Sequence, residues 1–376
     1  MANLLKLLVL GSKEYPVGSS GGFDSLASGG YERYTQELSS ALAANGVLPV
    51  IATRMFPHQK EFEEKNGIQV HRVSWVQGFF LRNPSFNLSA FFKGLQLDYD
   101  IVFASGVFAT LSGLALRLFK GKPVISRPAG IAWVQPQYPF FVKIILRALE
   151  SFAYSHADAV VFLSDAEVQS FKKKMGFLPE NFRVIPTGVD LSRFKAKTSR
   201  ARKKKKTVLF LGRLLEVKGA RFLVQAAPAI NAKIIIAGKG PEKLKLEQMA
   251  VEKNLGNVVF LGQVERPEKL LAECDVFVLP SLSEGLPIAM LEAMASRKPC
   301  VVTDIGLPVE NGKNALVVKP GNPEALANAI NRLLVNPALA ARIAKNGFRH
   351  VKTNFDWDKS ILRIIVLAKE LLRGRG

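Results

Sequence analysis

Short apolar runs alternate with longer amphipathic stretches along nearly the whole chain. Residues 4–10 form the first run, of strand length and apolar except for Lys6. A Gly/Ser loop over 11–30 follows, then a helical pattern from 31 to 44 that stops at Asn45-Gly46. Further strand-like runs fall at 48–51, 68–73, 101–104, 122–125 and 159–163, and residues 182–190 end this half with a short strand and a Pro/Gly turn. Strand and helix alternating in this way predict a mostly parallel sheet covered on both faces, with ligands gathered at the carboxyl ends of its strands.

The pattern then restarts. Strands are expected at 208–211, 232–236, 258–261, 276–279, 300–303 and 315–318, with helices at 222–230, 242–253, 267–272, 287–296 and 323–334. The chain ends in Trp357 and an amphipathic helix over 359–372. The fold class is therefore α/β, with two Rossmann-like doubly wound domains. We expect an N-terminal domain at 1–190, a basic linker at 191–206 and a C-terminal domain at 207–355. A final helix at 356–376 is expected to pack back toward the N-terminal domain. A cleft between two such domains is the expected ligand site.

Composition narrows the partners. With 376 residues and 48% apolar content the chain can fill two cores and is not disordered. A formal charge of +21 favours phosphate-rich partners: nucleic acid, anionic lipid or a nucleotide diphosphate. No helix carries a base-reading pattern, so nucleic acid is not expected. No apolar run spans a bilayer and the start lacks a leader pattern, so the expected location is cytoplasmic, either free or peripheral to the cytoplasmic face of the membrane. Aromatic-basic stretches at 79–97 and 138–147 would either pack on the sheet or lie in a membrane interface. Cys274 and Cys300 read as reduced buried thiols, and four scattered histidines suggest no metal site.

The chemistry concentrates where strands end. After the run at 276–279, a Ser/Gly loop leads into a helix expected to begin at Pro287, leaving the N–H groups of Gly285, Leu286 and Ile288 free for an anion or sugar oxygens. Glu284 stands before that helix and Glu292 inside it. A Glu-x7-Glu spacing spans roughly 12 Å if helical, too far to share a proton, so each carboxylate would touch a different part of one extended ligand. Taken alone, such a pair is more often two solvated charges. Gly212-Arg213-Leu-Leu-Glu-Val-Lys218-Gly219 follows the first strand of the second half, and there Arg213 offers a planar fork and Lys218 a compact charge to a diphosphate. Gly238-Lys-Gly240 gives a further turn of close approach. In the first half, Gly29-Gly30 brings backbone to a helix start, although no G-x-G-x-x-G is present. Arg127, in Ser126-Arg127-Pro128-Ala129-Gly130, is either an anion contact or an ordinary surface arginine.

Together these motifs resemble the retaining family 4 glycosyltransferases of GT-B fold, the glycosyl transferases group 1. The resemblance runs through Gly212-Arg213-Leu with Lys218-Gly219, Ala237-Gly-Lys-Gly-Pro241, Asp275-Val-Phe-Val-Leu-Pro-Ser281 and Glu284-Gly-Leu-Pro with Glu292-Ala. The tail 320–327 adds to it, as do Gly29-Gly30-Tyr-Glu, Ala157-Asp-Ala-Val-Val and the segment 185–194 in the first half. It implies transfer of a sugar from a nucleotide-diphosphate sugar with retained anomeric configuration, no cofactor and no obligatory metal. The acceptor would be a glycan or a lipid-linked molecule. Residue by residue, it implies that Arg213 and Lys218 take the donor diphosphate, Glu284 the sugar hydroxyls and Glu292 the ribose. Gly30, Gly212, Gly238, Gly285 and Leu286 would complete the donor site. Members often carry a His where this chain has the Ser126–Gly130 segment, which puts Arg127 on the acceptor or reacting-centre side. Related alternatives are a phosphorylase-like or epimerase-like enzyme and a non-catalytic nucleotide-sugar binder.

Overall fold

The computed structural model describes residues 4–17, 30–78, 80–135, 138–194, 205–264 and 266–374. Gly29, Phe79 and residues 195–204 of the basic run lie outside the described residues. The chain forms two units, one of Met1–Pro186 with Ser360–Gly376 and one of Thr187–Lys359.

The first unit runs β1 (Leu5–Leu10), α1 (Gly30–Ala44), β2 (Val47–Arg54), β3 (Phe62–Lys65), β4 (Ile68–Val73) and α2 (Arg82–Gln96). It continues with β5 (Ile101–Ser105), α3 (Val107–Lys120), β6 (Val124–Arg127), α4 (Phe140–His156), β7 (Ala159–Phe162), α5 (Asp165–Met175) and β8 (Phe182–Val184). Its sheet has the order β3-β4-β2-β1-β5-β6-β7-β8, parallel except for the edge strand β3. The short edge strand β3 was not expected from the sequence: Phe-Glu-Glu-Lys has one apolar residue, and it pairs only through β4. One face of the sheet sends Leu8, Leu10, Val50, Val102 and Val124 against Phe86 and Ala90 of α2 and Leu114 and Leu116 of α3. β6 begins two residues later than expected and extends through Arg127, so that arginine ends a strand.

The second unit runs β9 (Thr207–Leu211), a 3-10 turn at Glu216–Lys218, α6 (Ala220–Ala226), β10 (Lys233–Ala237), α7 (Lys243–Glu252) and β11 (Val258–Gly262). Then come α8 (Pro267–Glu273), β12 (Val276–Leu279), α9 (Ile288–Ala295), β13 (Cys300–Thr303), β14 (Leu316–Val318), α10 (Pro323–Val335) and α11 (Pro337–Asn354). α12 (Trp357–Arg373) begins here, and from Ser360 onward its residues belong to the first unit. The sheet order is β11-β10-β9-β12-β13-β14, all parallel. Alternate side chains feed two cores: Val208, Phe210, Val276 and Val278 face α6 and α10, while Leu209, Phe277 and Leu279 face α8 and α9.

Two expectations are corrected. α9 starts at Ile288, with Pro287 as its extended N-cap (ψ 105°) rather than its first helical residue. α11 was not expected at all. Its start was marked by Asn336-Pro337, where the Asn336 side chain accepts from the Leu339 N–H at 2.9 Å. Its interior Gly347 reads as a break, yet a Cβ there would crowd Met294 of α9 and the Asn314 carbonyl, so glycine is what lets the helices approach. Cys274 and Cys300 are buried free thiols, and burial pushes the Cys300 thiol well up. Among the described residues no cluster of three or more His, Cys, Asp or Glu could hold a metal ion, and no helix is long and apolar enough to cross a membrane.

Candidate active site

In the second sheet the chain moves from β9 outward to β10 and β11, then returns to place β12 on the other side of β9. That reversal opens a crevice at the carboxyl ends of β9 and β12, where loops leave in opposite directions. The phosphate-type motif follows β9 and the Glu284 loop follows β12, so the topology alone brings them together.

The loop after β9 is shaped by close backbone approach. Gly212 N–H donates to the Ala237 carbonyl at 3.0 Å, and Leu214 N–H to Lys239 at 2.9 Å, which ties this loop to the turn after β10. Gly238 has φ +153° and lies against the Gly212 carbonyl, where any Cβ would collide. Gly219, at φ +67°, ends the 3-10 turn and lies as closely against the Pro280 carbonyl. The Val217 carbonyl accepts from Leu282 N–H at 2.8 Å, joining the β9 loop to the β12 loop.

Lys218 and Glu284 meet across that seam. The Lys218 ammonium donates to both Glu284 oxygens, at 2.7 and 2.6 Å, and Ser281 Oγ donates to Oε1 at 2.9 Å. The Glu284 side chain is only 8% exposed, so it is held in a dry, fixed position. Thr303 of β13 pins the loop from behind by donating its hydroxyl to the Ser281 carbonyl. Arg213 is exposed and makes no side-chain hydrogen bond or ion pair with the described residues. Gly285 is exposed and Leu286 half-buried at the approach to α9, while Glu292 is buried one turn into that helix. Of the residues expected in the donor site, the structure thus gathers Gly212, Arg213, Lys218, Gly238, Glu284, Gly285 and Leu286 on the loops that end β9, β10 and β12. Glu292 lies deeper.

Gly30 and Arg127 belong to the first unit. Gly30 opens α1, and Arg127 ends β6. Arg127 is not a surface arginine: it is 8% exposed, and its guanidinium lies over the rings of Tyr34, at 4.4 Å from the centroid, and Tyr31, at 5.6 Å. Such stacking suits a planar cation. The positive charge beside it draws the Glu167 carboxyl down, but burial dominates and leaves it raised. Burial likewise raises the Tyr34 hydroxyl to about 12. Sequence reading missed Tyr31, Tyr34 and Glu167 as neighbours of Arg127. The only local signal was Ser164-x-x-Glu167 at the start of α5, where Ser164 Oγ accepts from Glu167 N–H at 3.1 Å and Glu167 accepts from the N–H of Leu163, one residue before the N-cap, at 2.6 Å.

Two doubly wound units, with a cationic loop and a carboxylate at one switch point, define a two-domain α/β protein with a charged site at the carboxyl ends of its strands. The family described as Glycosyl transferases group 1 matches residues 192–350, and that described as Glycosyltransferase Family 4 matches residues 28–193. The chain belongs to the GT-B glycosyltransferases related to family 4. It is 29% identical over 80% of its length to a putative teichuronic acid biosynthesis glycosyltransferase of Bacillus subtilis, of which it also covers 80%. Sucrose-phosphate synthase from Thermosynechococcus elongatus shares the fold at a TM-score of 0.83 and 24% identity, covering 98% of this chain and 100% of that one. Anabaena HepE, solved in complex with UDP-glucose, matches at a TM-score of 0.77 and 21% identity over 97% of this chain and 100% of that one.

Proposed function

We propose that the protein transfers a sugar from a nucleotide-diphosphate sugar to a hydroxyl of a carbohydrate or lipid-linked acceptor, with retained anomeric configuration. The observation that carries this reading is the contact of Lys218 with Glu284 at the β9/β12 switch point, beside an exposed Arg213. The solved complex of HepE with UDP-glucose supports a donor of this chemistry. The donor diphosphate takes the charge of Arg213 and draws Lys218 off its carboxylate. Glu284, relieved of the ammonium, then accepts hydrogen bonds from hydroxyls of the donor sugar, and Glu292 serves the ribose. Exposed backbone N–H groups near Gly285 and Leu286 add donors where charge gathers.

In the transfer step the bond from the sugar C1 to the diphosphate oxygen breaks and a bond from C1 to the acceptor oxygen forms on the same face. The acceptor proton passes to the departing phosphate oxygen. Arg213 and Lys218 stabilise the charge that grows on that leaving group, a contribution that is usually the largest in such a step. On this reading Glu284 positions the sugar and forms no covalent intermediate. With the leaving charge met by two side-chain cations, no metal is needed. Of the first unit's residues, Gly30 serves the donor phosphate or reacting centre and Arg127 the acceptor or reacting-centre side. Proton NMR of the transfer product checks the stereochemistry: an α-donor should give an α-linked product, and a β-linked product would refute retention.

A further inference from the structure

α4 has two apolar faces where a helix resting on a sheet needs one. Its inner face buries Leu146, Glu150, Ala153 and Tyr154, the last two in a cluster with Val160 and Phe162 of β7. Its outer face leaves Phe140 80%, Phe141 64%, Ile144 56%, Ile145 56% and Phe152 52% exposed. The spacing of three, four and seven residues between 141, 144, 145 and 152 keeps them in one stripe. A contiguous stripe of this kind marks a contact surface, whereas single exposed apolar residues do not.

We propose that this stripe docks the protein on an anionic phospholipid bilayer, apolar side chains in the acyl boundary and cations among the headgroups. Charge selects that partner. Exposed Arg147 flanks the stripe, no acid lies on it, and the only acid of the helix, Glu150, points inward to accept from the N–H groups of Ala132 and Trp133 at 2.8 and 3.4 Å. The chain carries a formal +21, which repels a second copy of itself and attracts a negative surface. Docking also has a route to the chemistry. α4 grips the loop after β6 through Glu150 and through Arg147, whose guanidinium lies over the Trp133 ring at 5.2 Å, and that loop follows Arg127 directly. The inference stands apart from the sugar-transfer reading, since lipid binding needs no donor.

Co-sedimentation of the full chain with vesicles of phosphatidylcholine, and of phosphatidylcholine mixed with phosphatidylglycerol, tests it. The wild-type chain should pellet with the anionic vesicles and be released as salt rises. The double variant Phe141→Ser/Ile145→Ser should bind about tenfold more weakly or worse. Leu244→Ser, at an exposed position of α7, should bind as wild type does. A lipid-borne photolabel on the wild-type chain should mark peptides from 138–156, a readout that depends on no variant. Absence from both pellets, unchanged binding by the double variant, labels confined to other segments, or a dimer in solution that the double variant abolishes would each overturn the proposal.

Discussion

Lys218 and Glu284 hold each other through two short hydrogen bonds, and under the proposed function the donor would give each of them a different partner. Removing the lysine leaves a nearly buried carboxylate whose remaining hydrogen-bond partner among the described residues is Ser281. We therefore expect Lys218→Ala to lower stability by about 1–3 kcal/mol in urea unfolding and to cut kcat/KM for transfer by about a hundredfold to a thousandfold. Glu284→Ala should cost about a hundredfold through misplacement of the sugar, and mass spectrometry of stalled reactions should find no glycosylated protein. Glu150 gives a pH signature. Burial raises its carboxyl to about 7 against the pull of the Ala132 and Trp133 N–H groups. The folded chain then keeps a proton that the unfolded chain releases, so stability falls as pH rises from the ordinary glutamate range to about 7 and levels off above it. Glu150→Gln should flatten that slope and raise the urea midpoint above about pH 7, relative to wild type; an unchanged slope would remove Glu150 as its source.

The loops of the second unit were legible as elements because their glycines answer a steric demand that sequence displays. Gly219 and Gly238 each meet a carbonyl that a Cβ would strike. Gly238→Ala should accordingly lower the melting temperature and weaken donor binding together, and a variant with wild-type melting and binding would contradict the close approach. Strand positions and their order of appearance could be read from alternating apolar runs. The start of α9 was misplaced by one residue because Pro287 suits an N-cap almost as well as the next position. α11 was hidden because the demand for Gly347 comes from α9 and Asn314, which lie far away in sequence. The same limit applies to the site. Arg213, Lys218 and Glu284 were visible as types in motifs, but the 66-residue span that joins Lys218 to Glu284 is a property of the strand order. Arg127 was left open between surface and site, since its burial depends on Tyr31 and Tyr34 of α1.

At the scale of the whole molecule, two sheets of the same doubly wound type each end in charged groups: Arg213, Lys218 and Glu284 at the β9/β12 switch point, and the buried Arg127 at the end of β6. The first unit draws on the far end of the chain, because Ser360–Gly376 belongs to it and Ile361, Ile364, Ile365 and Ala368 of α12 are buried. Cations supplied by side chains imply that exhaustive treatment with a chelator leaves transfer activity unchanged, and loss restored by added magnesium would assign the leaving-group charge to a metal instead. The claim on which the rest depends is that the loops ending β9, β10 and β12 hold a nucleotide-diphosphate sugar. Titration calorimetry of UDP-, GDP- and ADP-sugars against the wild-type chain, Arg213→Ala and Lys218→Ala measures it directly. We expect one nucleotide class to bind the wild-type chain and each substitution to weaken it by at least about tenfold; a chain that binds none of them, or binds one equally well without Arg213 and Lys218, would contradict this assignment.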